Sequence, residues 1–142
     1  MIEAMNTHEW VVRLHDGENL VAVLRDLESD SALILSGIGM VRNVELGYWN
    51  GSEYEVHVYP DPAELLSLQG NLALDDAGQR IAHVHLSLSR RDGSVRGGHL
   101  VAATVHNTLE MGLLPLKEIA LDRKPESNGL VGLFPRRTRA DD

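Results

Sequence analysis

The sequence predicts an α+β protein, a single domain with a mostly antiparallel sheet of about seven strands and one main helix. Three observations carry this expectation. Short runs of alternating apolar and polar residues recur along most of the chain. Asn50-Gly51 separates two such runs, a strong hairpin signal. Residues 17–29 form the stretch with clear helical spacing.

Taken in order, residues 9–15 (EWVVRLH) have strand composition and stop at the turn pair Asp16-Gly17. From there Leu20, Val21, Leu24 and Leu27 recur at helical spacing among charged residues, so an amphipathic helix is expected over 17–29. Asp16 is the expected cap, with its carboxylate near the positive end of the helix dipole. SALILSGIGMV reads as a buried strand that Gly37 and Gly39 turn or bulge. VELGYW (44–49) and EYEVHVY (53–59) form the hairpin arms, with Tyr54, Val56 and Val58 on one face. After Pro60 and Pro62, ELLSLQGNLAL (64–74) alternates again, and Gly70 is the expected bulge. RIAHVHLSLSRR (80–91) and VRGGHLVAATVHNTLEMGL (95–113) are two long strands joined through Arg91-Asp92-Gly93-Ser94. Pro125, Gly129, Gly132 and Pro135 discourage regular structure. Residues 1–125 are therefore read as the domain and 126–142 as a C-terminal arm or tail.

Composition narrows the functions available. The chain has 142 residues, with 13 Lys+Arg against 21 Asp+Glu and a net charge of -8. Binding to a phosphate backbone rests on clustered positive charge, so this balance argues against a dedicated nucleic-acid binder. Arg136, Arg137 and Arg139 in the arm are the candidate anion or DNA contact. Two Trp, three Tyr and one Phe are too few for a base-stacking platform. The absence of cysteine removes disulfides, thiolate metal sites and thiol nucleophiles. No apolar run is long enough for a membrane span, and MIEAMNTHEW does not read as a signal peptide. A cytoplasmic protein without a membrane partner is expected.

Three of the seven histidines have meaningful spacing. His83 and His85 stand two apart in one strand and so share a face, while Val84, Leu86 and Leu88 take the other. The position of His99 depends on hairpin register. A two-residue turn at Asp92-Gly93 would set Leu86 opposite His99 and send His99 to the wrong face. A three-residue loop, Arg91-Asp92-Gly93, pairs Arg90 with Ser94 instead and puts glycine at the left-handed position that such a loop needs. His85 then lies opposite His99, with His83 completing a triangle. Three neutral imidazoles on one face suit a divalent transition metal, zinc foremost, with a position open to water or ligand. Nickel and iron accept the same nitrogens. The plain alternative is a set of polar residues on a half-exposed sheet face. Glu64 is a candidate for orienting an imidazole from behind and, if the site is catalytic, the one nearby base candidate, or simply a surface acid at a strand start. No catalytic residue can be named, and the familiar phosphate-loop, dinucleotide and nucleophile-elbow motifs are absent.

These motifs in sequence are Ser36-Gly37-Ile38-Gly39, Leu46-Gly47-Tyr48, Glu64 to Asn71, His83 to Ser89, Asp92-Gly93 and Gly97-Gly98-His99-Leu100. In this order and spacing the chain resembles the plants-and-prokaryotes conserved domain, the PPC or DUF296 family, from about residue 9 to about 121. The resemblance implies a homotrimer. The leading expectation, resting on the three histidines, is a metal-site protein that binds a small ligand or performs metal-assisted chemistry; the alternative, which the family naming suggests, is a DNA-binding or transcription-regulatory module. Prokaryotic members are similar to this chain at His83, His85 and His99. Plant members carry an Arg-Gly-Arg-Pro core that PRRTR does not reproduce. Of their Gly-Arg-Phe-Glu-Ile-Leu stretch, only the second half finds a match here, at Glu64, Leu65 and Leu66. Burial points the same way on assembly. One helix covers only part of an apolar sheet face, so further cover from a second copy is expected.

Overall fold

Alternation becomes burial from the first long strand onward. In a computed structural model that describes residues 1–138, β1 (Ile2–Met5) pairs with β2 (Trp10–His15). In β2, Trp10, Val12 and Leu14 are buried while Val11, Arg13 and His15 face out. Helix α1 (Leu20–Asp26) follows, then β3 (Ala32–Trp49), β4 (Tyr54–Tyr59), β5 (Ala63–Leu74), β6 (Arg80–Ser89) and β7 (Val95–Pro115). The described chain ends with β8 (Ile119–Pro125) and β9 (Val131–Arg137). The sheet thus has nine strands rather than about seven: β1 and the last hairpin add three, while the expected strands in SALILSGIGMV and VELGYW are one strand, β3.

The path of the sheet is β1-β2-β7-β3-β5-β8-β9, with β4 on β3 and β6 bridging β5 and β7. Within it, β3, β5, β6 and β7 each pair with two of the other three. The pairings therefore close on themselves around one core. Val41, Leu46, Leu65, Leu68, Val84, Leu86, Leu88 and Val105 fill that core, and Leu20, Leu24 and Leu27 from the helix side join it. Closure supplies within one chain much of the cover that a single open layer would lack.

Several local expectations change. The helix is seven residues long and is capped by Asn19, whose side chain accepts from the Ala22 amide at 3.0 Å. Asp16 is not its cap. That carboxylate is already held by the Arg42 guanidinium at 2.7 Å and the Asn107 amide at 2.8 Å. Gly37 and Gly39 do not break the chain into two strands. β3 runs through them for 18 residues and takes up its curvature as register shifts against β7. The β3–β4 loop has four residues, because Trp49 pairs with Tyr54. The Asn50 side chain accepts from the Ser52 and Glu53 amides, both at 3.0 Å.

The C-terminal segment is also more regular than its prolines and glycines suggest. β8 and β9 form an antiparallel hairpin, with Pro125 opposite Val131. Pro135 is tolerated because β9 ends the sheet, where a missing amide donor breaks no second ladder. The hairpin joins the sheet through a parallel bridge between Leu74 and Asp122 and through the Ser31 hydroxyl, which accepts from the Leu121 amide at 2.9 Å.

Gly70 is not the bulge; the β5 register shift lies at Leu65/Ser67. Glycine is needed at 70 because a Cβ there would collide with the His83 carbonyl oxygen on β6. Gly70→Ala is expected to push β6 away and cost about 1–3 kcal/mol, the usual penalty for overpacking. Urea unfolding of the variant checks this; an unchanged midpoint would contradict the close approach.

Candidate metal centre

The turn after β6 sets the site. The Arg90 amide donates to the Ser94 carbonyl at 2.9 Å and the Gly93 amide to the Arg90 carbonyl at 2.8 Å, with Gly93 at φ 82°. This is the three-residue loop, and it sets His85 opposite His99. β5 lies on the other side of β6, placing Asn71 opposite His83 and Gln69 opposite His85. The three imidazoles meet as expected: one nitrogen from each of His83, His85 and His99 lies within 4.8 Å of the others. Ring centroids are 5.0 Å apart for His83 and His85, 5.2 Å for His83 and His99, and 5.6 Å for His85 and His99.

The β3–β4 hairpin adds an aromatic wall. Tyr54 stacks on His99 with centroids 4.7 Å apart, and Trp49 meets Tyr54 edge-on at 5.3 Å. The histidines, these aromatics and the β8–β9 hairpin line a cleft of about 820 Å³, within the ordinary range for small-molecule sites.

Burial tunes the histidines. His83 is pushed down from 6.5 to about 4, first by burial, then by the Arg123 charge and by His85 and His99. His99 is also lowered, by burial and then by His85. Both are therefore neutral at pH 7, the form that offers a lone pair to a metal. His85 is more exposed than either.

Arg123 is the site residue that sequence reasoning missed. It is 7% exposed, on β8. Its Nη2 donates to Asn71 Oδ1 at 2.8 Å and lies 3.0 Å from His83 Nδ1; its Nη1 donates to the Val131 carbonyl at 3.1 Å. Its Nε is buried with no partner among the described residues. One signal existed in the sequence: Leu121 and Arg123 stand two apart, so a strand here would turn both to the same face. Without an expected strand after 115, that signal had no frame.

The other candidates lie elsewhere. Glu64 is exposed and sits opposite Ser89 and Met40, so β6 separates it from His85 by four positions. It lines a different cleft of about 750 Å³ with Ser89, Arg90 and Arg91. No carboxylate joins the histidine cluster among the described residues. Arg136 is exposed and donates to Asp122 at 2.8 Å, Arg137 is exposed at the end of β9, and Arg139 lies outside the described residues. His8, His15 and His57 are exposed, and His106 contacts Arg42 at 3.0 Å.

The donor set fits a divalent transition ion. Three imidazole nitrogens converge, and His99 Nδ1 is buried without a hydrogen-bond partner among the described residues, an arrangement costly unless something meets that atom. The His83–Arg123 contact carries a further condition. A guanidinium only donates, so His83 Nδ1 must accept. A neutral His83 that ligates through Nδ1 has spent that lone pair, and one that ligates through Nε2 carries its proton on Nδ1. In both cases Arg123 must release His83.

Fold and site together define a small closed-sheet domain with a histidine cluster on the wall of a cleft. A profile of the Plants and Prokaryotes Conserved (PCC) domain matches residues 1–117, and the chain belongs to this family. Among solved structures it is similar to a plant- and prokaryote-conserved (PPC) protein from Pyrococcus horikoshii, at 32% identity and TM-score 0.83 over 97% of this chain and 100% of that one. It is likewise similar to a metal-containing protein from Archaeoglobus fulgidus, at 32% identity and TM-score 0.80 over 94% and 99%. A candidate DNA-binding protein from Bacteroides thetaiotaomicron shares the fold at 21% identity, TM-score 0.84, over 94% and 96%. No curated protein matches the chain.

In metal-free protein, unfolded His83 binds a proton between about pH 4 and 6.5 that folded His83 refuses. Stability contributed by this group is therefore present above that window and lost as pH falls through it. His83→Gln is expected to flatten the pH dependence there, read by denaturant unfolding in EDTA. An equal slope in both proteins would show that His83 is not the group responsible.

Proposed function

We propose that this protein holds a divalent transition metal, zinc foremost, on His83, His85 and His99, and binds a small molecule in the adjoining cleft or carries out metal-assisted chemistry on it. The observation that carries the reading is the meeting of three imidazole nitrogens, two of them kept neutral by burial, on a cleft wall. The metal-containing relative from Archaeoglobus fulgidus supports it. Such an ion polarises a carbonyl or lowers the pKa of bound water. The chain's own contribution is to hold the imidazoles from two strands of fixed register and to wall the cleft with Trp49 and Tyr54. Among the described residues no Asp or Glu lines the cleft, so Glu64 has no part as a base in this reading, and proton transfer would fall to an imidazole or to the ligand.

Metal analysis of untagged protein grown in metal-replete medium should return close to one equivalent per chain; less than about a tenth would overturn the reading. His85→Ala should abolish loading with the fold intact, since His85 is exposed and exposed substitutions rarely move stability by more than about 0.5 kcal/mol.

A cytoplasmic homotrimer remains the proposed state. Tyr48, Val56 and Val58 are exposed apolar residues where β3 and β4 project, a feature that assembly would cover. Light scattering should give three times 15.7 kDa over a wide concentration range; a persistent monomer or dimer would refute it. The second reading, a DNA-binding module, draws on the names of relatives such as the Bacteroides protein. It would rest on Arg136, Arg137 and Arg139 against a net charge of -8.

A further inference from the structure

We infer that the cleft selects a small carboxylate with an apolar or aromatic body, its carboxylate read by Arg123. The inference deepens the metal-site reading above and rests on it. Its first support is charge. The chain is strongly acidic, with 21 Asp+Glu, yet among the described residues the cleft is lined by Arg25, Arg123 and three histidines and by no acid. A divalent ion would add to that excess, and no described residue of the wall offsets it.

The second support is Arg123 itself. A guanidinium this deeply buried normally has a carboxylate partner. The ion pairs among the described residues do not include Arg123. Its contacts are neutral: an amide oxygen, a carbonyl and an imidazole nitrogen, with Nε unmet. When His83 becomes a ligand, Nη2 loses its acceptor there as well. Nε and Nη2 form one edge of the planar guanidinium, and the two oxygens of a carboxylate match such an edge. The guanidinium thus holds unmet donors beside the place where an ion would sit.

The third support is the rest of the wall. Trp49, Tyr54, Val101, Leu130 and Val131 give the cleft a broad apolar surface. An apolar body lies against these residues, while a fully polar anion would leave them wet. Leu130 and Val131 belong to the same C-terminal hairpin as Arg123, so one element supplies both the cation and part of the apolar wall. That hairpin lies beyond residues 1–117, the part matched by the family profile.

The test is calorimetric titration of the full chain, zinc-loaded at pH 7, with benzoate, with benzamide as its uncharged counterpart and with inorganic phosphate, the zinc content of each sample being measured. Benzoate is expected to bind at least tenfold more tightly than benzamide and than phosphate, the scale of one charge-assisted hydrogen-bond pair. Arg123→Gln is expected to weaken benzoate at least tenfold, to leave benzamide unchanged and to keep its zinc. Arg123→Lys, which retains charge without the planar fork, should fall between. Equal binding of benzoate and benzamide, no binding of either, or phosphate binding as tight as benzoate overturns the inference, and the wild-type comparison needs no variant to fold. Failure of the two readings is distinguishable: zinc retained without benzoate selectivity defeats the carboxylate assignment alone, whereas a chain that takes up no zinc defeats the three-histidine site beneath it.

Discussion

The register of β6 against β7 is the constraint on which the site depends. Side chains alternate across a strand, so a slip of one residue moves every group to the opposite face. The loop from Arg90 to Ser94, with Gly93 in the left-handed region, sets that register. It turns Val84, Leu86 and Leu88 into the core and, with the same step, brings His85 opposite His99. Core and site are two faces of one pairing. The sequence cannot lose one without losing the other.

Closure of the sheet then decides what surrounds the histidines. Because β6 bridges β5 and β7, Asn71 on β5 reaches the His83 side of the cluster while β3, paired with β7, carries Trp49 and the hairpin to Tyr54. Partial burial in this enclosure keeps His83 and His99 neutral near pH 7. Arg123, arriving on β8, is the opposite case. It brings a permanent charge to a site where no described residue supplies a carboxylate to meet it. A structural ion pair would have been the simple way to bury an arginine, and among the described residues Arg123 has none.

Membership in the conserved family does not by itself assign a role: one similar solved structure is of a metal-containing protein, and a candidate DNA-binding protein shares the fold alone. The physical features differ in weight. The histidine cluster is built into paired strands near the core. Of the arm's arginines, Arg136 is engaged with Asp122 and Arg137 lies exposed on an edge strand. The overall charge of -8 opposes approach to a polyanion.

Local chemistry made much of this legible in advance. Alternation gave the strands from β2 to β7, Asn50-Gly51 gave the hairpin, and the preference of Gly93 for positive φ gave the pairing of His85 with His99. These are short-range effects, set by residues within a turn of one another. The sequence also carried the family motifs. What it did not reveal depended on distant partners. Asp16 lost its capping role to Arg42 and Asn107, residues far along the chain. Gly70 was needed for the backbone of β6, not for a bulge in its own strand. The β8–β9 hairpin, rich in residues that disfavour strands, is held by pairing with itself and by contacts to β5 and Ser31. Only that long-range docking brings Arg123 to His83 and its positive charge to the cleft, because no local pattern encodes a contact between residues 40 positions apart.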